Sequence, residues 1–88
     1  MTAQELAQTL RALPLADVHV DVEGRPGHLV AVVTSPDFDT QDEGRRQQTV
    51  WQHLLAAVPD HERVDVEFVF TLSPQEQHDL ELQGRLPT

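Results

Sequence analysis

Gly44-Arg45-Arg46-Gln47-Gln48-Thr49-Val50-Trp51-Gln52-His53-Leu54-Leu55 opens charged and polar and turns apolar halfway along. Val50, Trp51, Leu54, Leu55 and Val58 fall at the offsets of one helix face. The spacing predicts a helix over residues 41–58 whose second half closes a core and whose first half offers the Arg45 and Arg46 guanidinium groups to solvent. The chain's one Trp lies inside it, which suits an indole because the ring buries a large surface once its N–H has a partner. Truncating such a ring in a core costs roughly 3–5 kcal/mol.

Immediately upstream, Thr40-Gln41-Asp42-Glu43 has the capping-box spacing, and Asp39, Asp42 and Glu43 suit the positive end of the helix dipole. Gly44 weakens that first turn by about 1 kcal/mol relative to Ala. Residues 35–40 read as a loop anchored in the core by Phe38. Before the loop come two strands. Val18, Val20 and Val22 alternate with polar residues, while residues 28–35 are β-branched and apolar on both parities, as a central strand requires. Gly24-Arg25-Pro26-Gly27 joins them as a turn; it spells the GxxG of RNA-binding KH domains, but those glycines lie between two helices and these lie in a hairpin. A first helix over residues 2–13 opens on the capping box of Thr2 and Glu5 and ends before Pro14.

Downstream, residues 59–62 read as a break. Val64, Val66, Phe68 and Phe70 then give a third strand an apolar face, with Phe68 and Phe70 expected in the core beside Val50 and Trp51. Ser73-Pro74-Gln75-Glu76 caps a last helix, in which Leu80 and Leu82 pack only partly, and residues 84–88 are expected to form a frayed tail. The expectation is an α+β fold over residues 1–83, one domain: helix, strand, strand, helix, strand, helix. Its three-stranded mixed sheet follows chain order, with the helix-linked second and third strands parallel and the helices mainly on one face.

Composition narrows function. Fifteen acidic residues against six basic ones, all arginine, give a formal charge of −9, which repels phosphate backbones. The absence of cysteine excludes disulfides, thiol nucleophiles and a self-contained iron–sulfur site. No apolar run approaches a membrane span, so a cytoplasmic protein without a membrane segment is expected. The five histidines lack metal-site spacing. No nucleophile–base pair can be assembled, and a non-enzymatic role follows.

Arg45-Arg46-Gln47-Gln48-Thr49-Val50-Trp51 resembles the run that marks the IbaG-like branch of the BolA family: two basic residues, Gln-Gln-Thr-Val and an aromatic. The similarity extends to Leu15-Ala16-Asp17-Val18-His19-Val20, Gly27-His28-Leu29, Asp37-Phe38 and Thr71-Leu72-Ser73-Pro74-Gln75-Glu76, covering residues 6–77 with few gaps. It implies a KH-like αββαβ(α) fold and a regulator or adaptor that pairs with a monothiol glutaredoxin carrying a CGFS motif. Such pairs can share a [2Fe-2S] cluster whose thiolates come from the glutaredoxin and glutathione.

The ligand positions depart from the family. Asp65 stands where the resemblance places a cluster-ligating histidine, and Arg25 aligns with the loop ligand, with His28 close by. Aspartate is a poor ligand for a soft metal site and arginine is none, so docking is favoured over cluster ligation. His28 or His61 is the substitute ligand to look for. The expected partner surface joins the hairpin loop, the start of the main helix and the third strand through Arg25, His28, Arg45, Arg46 and Asp65. The alternatives are a KH-like nucleic-acid-binding regulator using Arg45 and Arg46, against which the net charge argues, and a protein-interaction domain without a cofactor. The chain is expected to be a monomer or a weak homodimer.

Overall fold

Thr2 starts the first helix by reciprocal bonding: its hydroxyl accepts from the Glu5 backbone N–H at 3.1 Å, and the Glu5 carboxylate accepts from the Thr2 backbone N–H at 2.8 Å. In the computed structural model, which describes residues 1–82, this helix, α1, runs Ala3–Arg11 and buries Leu6, Ala7 and Leu10. It closes at Ala12, a residue earlier than the expected limit at Leu13. The tail expected over residues 84–88 lies outside the described residues.

Strands β1 (His19–Glu23) and β2 (Leu29–Thr34) pair antiparallel, Val20 opposite Val33 and Val22 opposite Ala31. The turn between them needs its glycines: Gly24 has φ +104° and Gly27 φ +93°, and a Cβ on Gly24 would overlap the His28 carbonyl. Ser35 then caps a 3-10 turn, Pro36–Thr40, that delivers Phe38 fully buried, as expected. The main helix, α2, spans Glu43–Ala57 and is capped by Asp42, whose carboxylate accepts from the Arg45 N–H at 2.8 Å. Thr40, the expected cap, is instead the last residue of the 3-10 turn, and its hydroxyl bonds back to the Asp37 carbonyl at 3.5 Å.

Where the sequence reads only a break, a four-residue helix, α3 (Asp60–Arg63), forms, and Arg63 donates to the Val58 carbonyl at 2.6 Å. Strand β3 (Val66–Leu72) pairs parallel with β2, giving the order β1-β2-β3. Helix α4 (Pro74–Leu82) opens on the expected box, Ser73 accepting from the Glu76 N–H at 3.2 Å and Glu76 accepting from the Ser73 N–H at 2.8 Å. Among the described residues the fold is thus α+β, with four α-helices and a three-stranded mixed sheet. Leu6 and Leu10 of α1, Val50 and Leu54 of α2, Phe38, and Val20, Ala31, Val33 and Val69 of the sheet make one core. Helices α1 and α2 therefore cover the same face of the sheet.

Two further expectations, both about the core, fail. The pairing steps from Leu29 with Val66 to Val30 with Phe68, so β3 carries one extra residue there, a bulge. Beyond it, Val69 and Thr71 face the core, while Phe68 and Phe70 turn outward and stay 47% and 39% exposed. Polar bonding from α2 favours this phase. Gln47 donates to the Val69 carbonyl at 2.8 Å, Arg46 donates to the Thr71 carbonyl at 3.2 Å, and the Thr71 hydroxyl donates to Glu43 at 3.1 Å.

The second failure is the apolar stripe of α2. Its inward row is Arg46, Val50, Leu54 and Val58, at fourfold spacing, and Leu55 is 58% exposed. Trp51 packs partly buried on the flank of the core, its indole N–H donating to Gln47 Oε1 at 3.1 Å. His53 on the other flank lies 2.7 Å from the Thr9 carbonyl and ties α2 to α1.

Candidate functional site

The five expected site residues fall at two ends of the sheet. The hairpin turn precedes Leu29, whose backbone N–H donates to the Asp65 carbonyl at 2.9 Å. Arg25, His28 and Asp65 therefore share the end of the sheet where β2 and β3 begin. Arg45 and Arg46 sit at the start of α2, level with Thr71 near the far end of β3. Thr71 lies five residues beyond Val66 along β3, about 16 Å at the usual rise per residue. The expected surface is not continuous: the start of the main helix does not adjoin the hairpin turn.

Arg46 also departs from the expected outward pair. Its guanidinium is buried and bonds the carbonyls of Phe38 (2.6 and 3.1 Å), Gln41 (2.9 Å) and Thr71 (3.2 Å), and the Glu76 carboxylate (2.6 Å). Five N–H donors in a rigid fork match this cage of acceptors as no other side chain could. Desolvation pushes the Glu76 carboxyl up, yet hydrogen bonds from the Ser73 backbone, from Arg46 and from the Ser73 hydroxyl outweigh it and hold its pKa below the ordinary glutamate value. Arg46 is thereby a structural clamp joining the 3-10 turn, α2, β3 and α4. Arg45, one residue earlier, is exposed.

At the turn end, Arg25 and His28 are exposed. His28 Nδ1 lies 3.8 Å from Glu67 Oε1 on the bulged start of β3. The Asp65 carboxylate is engaged by the Met1 ammonium, whose pKa the same hydrogen bond raises. His61 is exposed on α3, beside an Asp60 carboxylate that Arg63 already binds. Among the described residues no group of three or more His, Asp and Glu is placed to hold a metal ion. The donors beside the hairpin turn amount to the His28 imidazole, the Glu67 carboxylate that faces it and the Asp65 carboxylate already bonded to an amine, hard oxygen donors outnumbering the one nitrogen. This set fits a [2Fe-2S] cluster poorly.

Alternation missed a third feature, the outward face of the sheet. Glu23, Val30 and Phe68 line up across the three strands in one row, and Asp21, Val32 and Phe70 in the next. The rings of Phe68 and Phe70 meet edge to face, 4.6 Å between centroids. The signal that could have found this face is the pair Val66 and Val69, both β-branched and three apart, which face one way only across an irregular step.

Among the described residues no helix is long and apolar enough to cross a membrane. No family model, curated protein or solved structure matches the chain.

Proposed function

We propose that the chain is a non-enzymatic adaptor of the BolA-like kind that docks a monothiol CGFS glutaredoxin through the end of the sheet bearing Arg25 and His28. The supporting observation is the backbone bond from Leu29 to Asp65, which draws the hairpin turn up against the start of β3. Two of the three segments expected in the partner surface, the hairpin loop and the third strand, are neighbours in space as a result. The poor donor set limits the proposal to docking, with Arg25 and His28 as partner contacts. The nucleic-acid alternative asks for two outward guanidinium groups, and the inward turn of Arg46 leaves Arg45 alone in a chain of formal charge −9.

Titration of the purified chain with a CGFS monothiol glutaredoxin by isothermal calorimetry, without added iron, tests the reading. A one-to-one complex weakened roughly tenfold or more by Arg25→Ala with His28→Ala is the expected result, the loss of about 1.4 kcal/mol that interface hot spots exceed. Absence of any complex defeats it.

A further inference from the structure

The bulge at Val66–Phe68 leaves an outward face that does not resemble ordinary protein surface. Val20 and Val22 pack toward the core, so their strand neighbours Asp21 and Glu23 point to the opposite side. Ala31 and Val33 are fully buried, which turns Val30 and Val32 the same way as Asp21 and Glu23. Phe68 and Phe70 complete the two rows, both well exposed and in mutual contact. Four apolar side chains, two of them aromatic, thus form one contiguous patch with a carboxylate at the outer end of each row.

Neither helix of the core covers this patch, because α1 and α2 lie on the other side of the sheet. Helix α4 leaves β3 at its far end and fully buries none of its own residues. Phenylalanines left 47% and 39% exposed contribute less to folding than buried ones, and adjacent aromatics are the side chains enriched where partners bind. The outer edge of β3 is occupied at two carbonyls, those of Val69 and Thr71, by Gln47 and Arg46. An incoming chain would therefore lie on the face rather than extend the sheet beyond β3.

The border decides the chemistry of the occupant. The residues of these two rows include two acids and no arginine, and Glu67, beside the first row, adds a third exposed carboxylate. Groups able to carry positive charge flank these rows in the chain: His19, two residues before Asp21, and Arg25 and His28 of the turn, all exposed. Phosphate-bearing partners and a second copy of this chain, itself at −9, are both repelled.

We propose that this sheet face docks a basic amphipathic segment of a partner protein, with apolar residues on the Phe68–Phe70 pair and lysines or arginines on Asp21 and Glu23. The face adjoins the turn end assigned to glutaredoxin docking through Glu23 and Glu67, and the two are told apart by their substitutions, Phe68 and Phe70 here against Arg25 and His28 there.

The probe is an 18-residue leucine–lysine amphipathic helical peptide, with a leucine–glutamate peptide of the same pattern as its control, added to the uniformly ¹⁵N-labelled chain. The lysine peptide should shift amide resonances along β1, β2 and β3. Phe68→Ser with Phe70→Ser should weaken it roughly tenfold or more. Asp21→Lys with Glu23→Lys should invert the preference toward the glutamate peptide, a readout that lost folding cannot imitate. Shifts confined to the hairpin turn or to α2, equal binding of both peptides, or self-association abolished by Phe68→Ser would each overturn the proposal.

Discussion

Arg46 holds its guanidinium carbon 5.6 Å from the centroid of the Phe38 ring while donating to the Phe38 carbonyl through Nε at 3.1 Å and Nη2 at 2.6 Å. One residue is gripped through both its backbone and its π face, which fixes the 3-10 turn against α2. Arg46→Ala strands buried carbonyls and removes the partner of Glu76. It should lower unfolding stability by about 3–5 kcal/mol, the cost of several lost charged hydrogen bonds to backbone carbonyls, while the half-exposed Glu76 carboxylate stays solvated. Arg45→Ala should stay within about 0.5 kcal/mol as an exposed substitution. Urea denaturation of the two variants checks the contrast; equal losses would place both arginines in the same environment.

The phase of β3 makes a second prediction. Val69→Ala removes part of a fully buried side chain and should cost about 1.5–3 kcal/mol, whereas Phe68→Ser, on the outward face, should cost less than about 1 kcal/mol. A regular alternating strand would reverse that order. Thermal melts followed by circular dichroism suffice to distinguish them.

Glycine positions separate backbone strain from crowding. Gly24→Ala meets both a left-handed φ and the His28 carbonyl, and it should be the most damaging of the three glycine substitutions considered. Gly27→Ala has open space and meets only the strain of φ +93°, about 1–2 kcal/mol. Gly44→Ala, in the first turn of α2 with its nearest neighbour atom 3.6 Å away, should stabilise the chain by up to about 1 kcal/mol. Denaturation midpoints of the three variants give the ranking.

Acid should loosen the clamp. The folded-state pKa of Glu76 lies below its ordinary value of 4.5, so the folded chain keeps this carboxylate ionised where the unfolded chain has begun to protonate it. The associated stability is present above 4.5 and is lost as pH falls through the lower, folded value. Glu5, held down by the Thr2 backbone and hydroxyl bonds, acts in the same sense and window. Glu76→Gln should flatten part of the decline in melting temperature between pH 5 and pH 3. An unchanged slope would show that Glu76 is not bonded to Arg46 and Ser73 in solution.

Much of this was legible in the residues themselves. The Thr2 and Ser73 boxes, the Gly24–Gly27 turn, the Phe38 anchor and the strand order follow from local chemistry and periodicity. Arg46 was not legible, because an arginine beside another arginine reads as solvated surface. Only the convergence of three carbonyls from distant segments makes its burial favourable. The outward turn of Phe68 was hidden because Val66, Phe68 and Phe70 share one parity, and a one-residue irregularity is invisible to a count of alternation. The assumed docking surface split for a related reason: a sequence resemblance names residues without saying which end of a strand they occupy.

The irregular step in β3 gives the chain an unusual tolerance. Removing one residue from a strand ordinarily inverts every side chain beyond the cut. Deleting Glu67 would instead set Leu29 against Val66 and Val30 against Phe68 in an unbroken ladder, with each later side chain facing as it does now. A chain of 87 residues should keep the same interior while losing the carboxylate that faces His28, so the spare residue marks where length in this fold is free to vary.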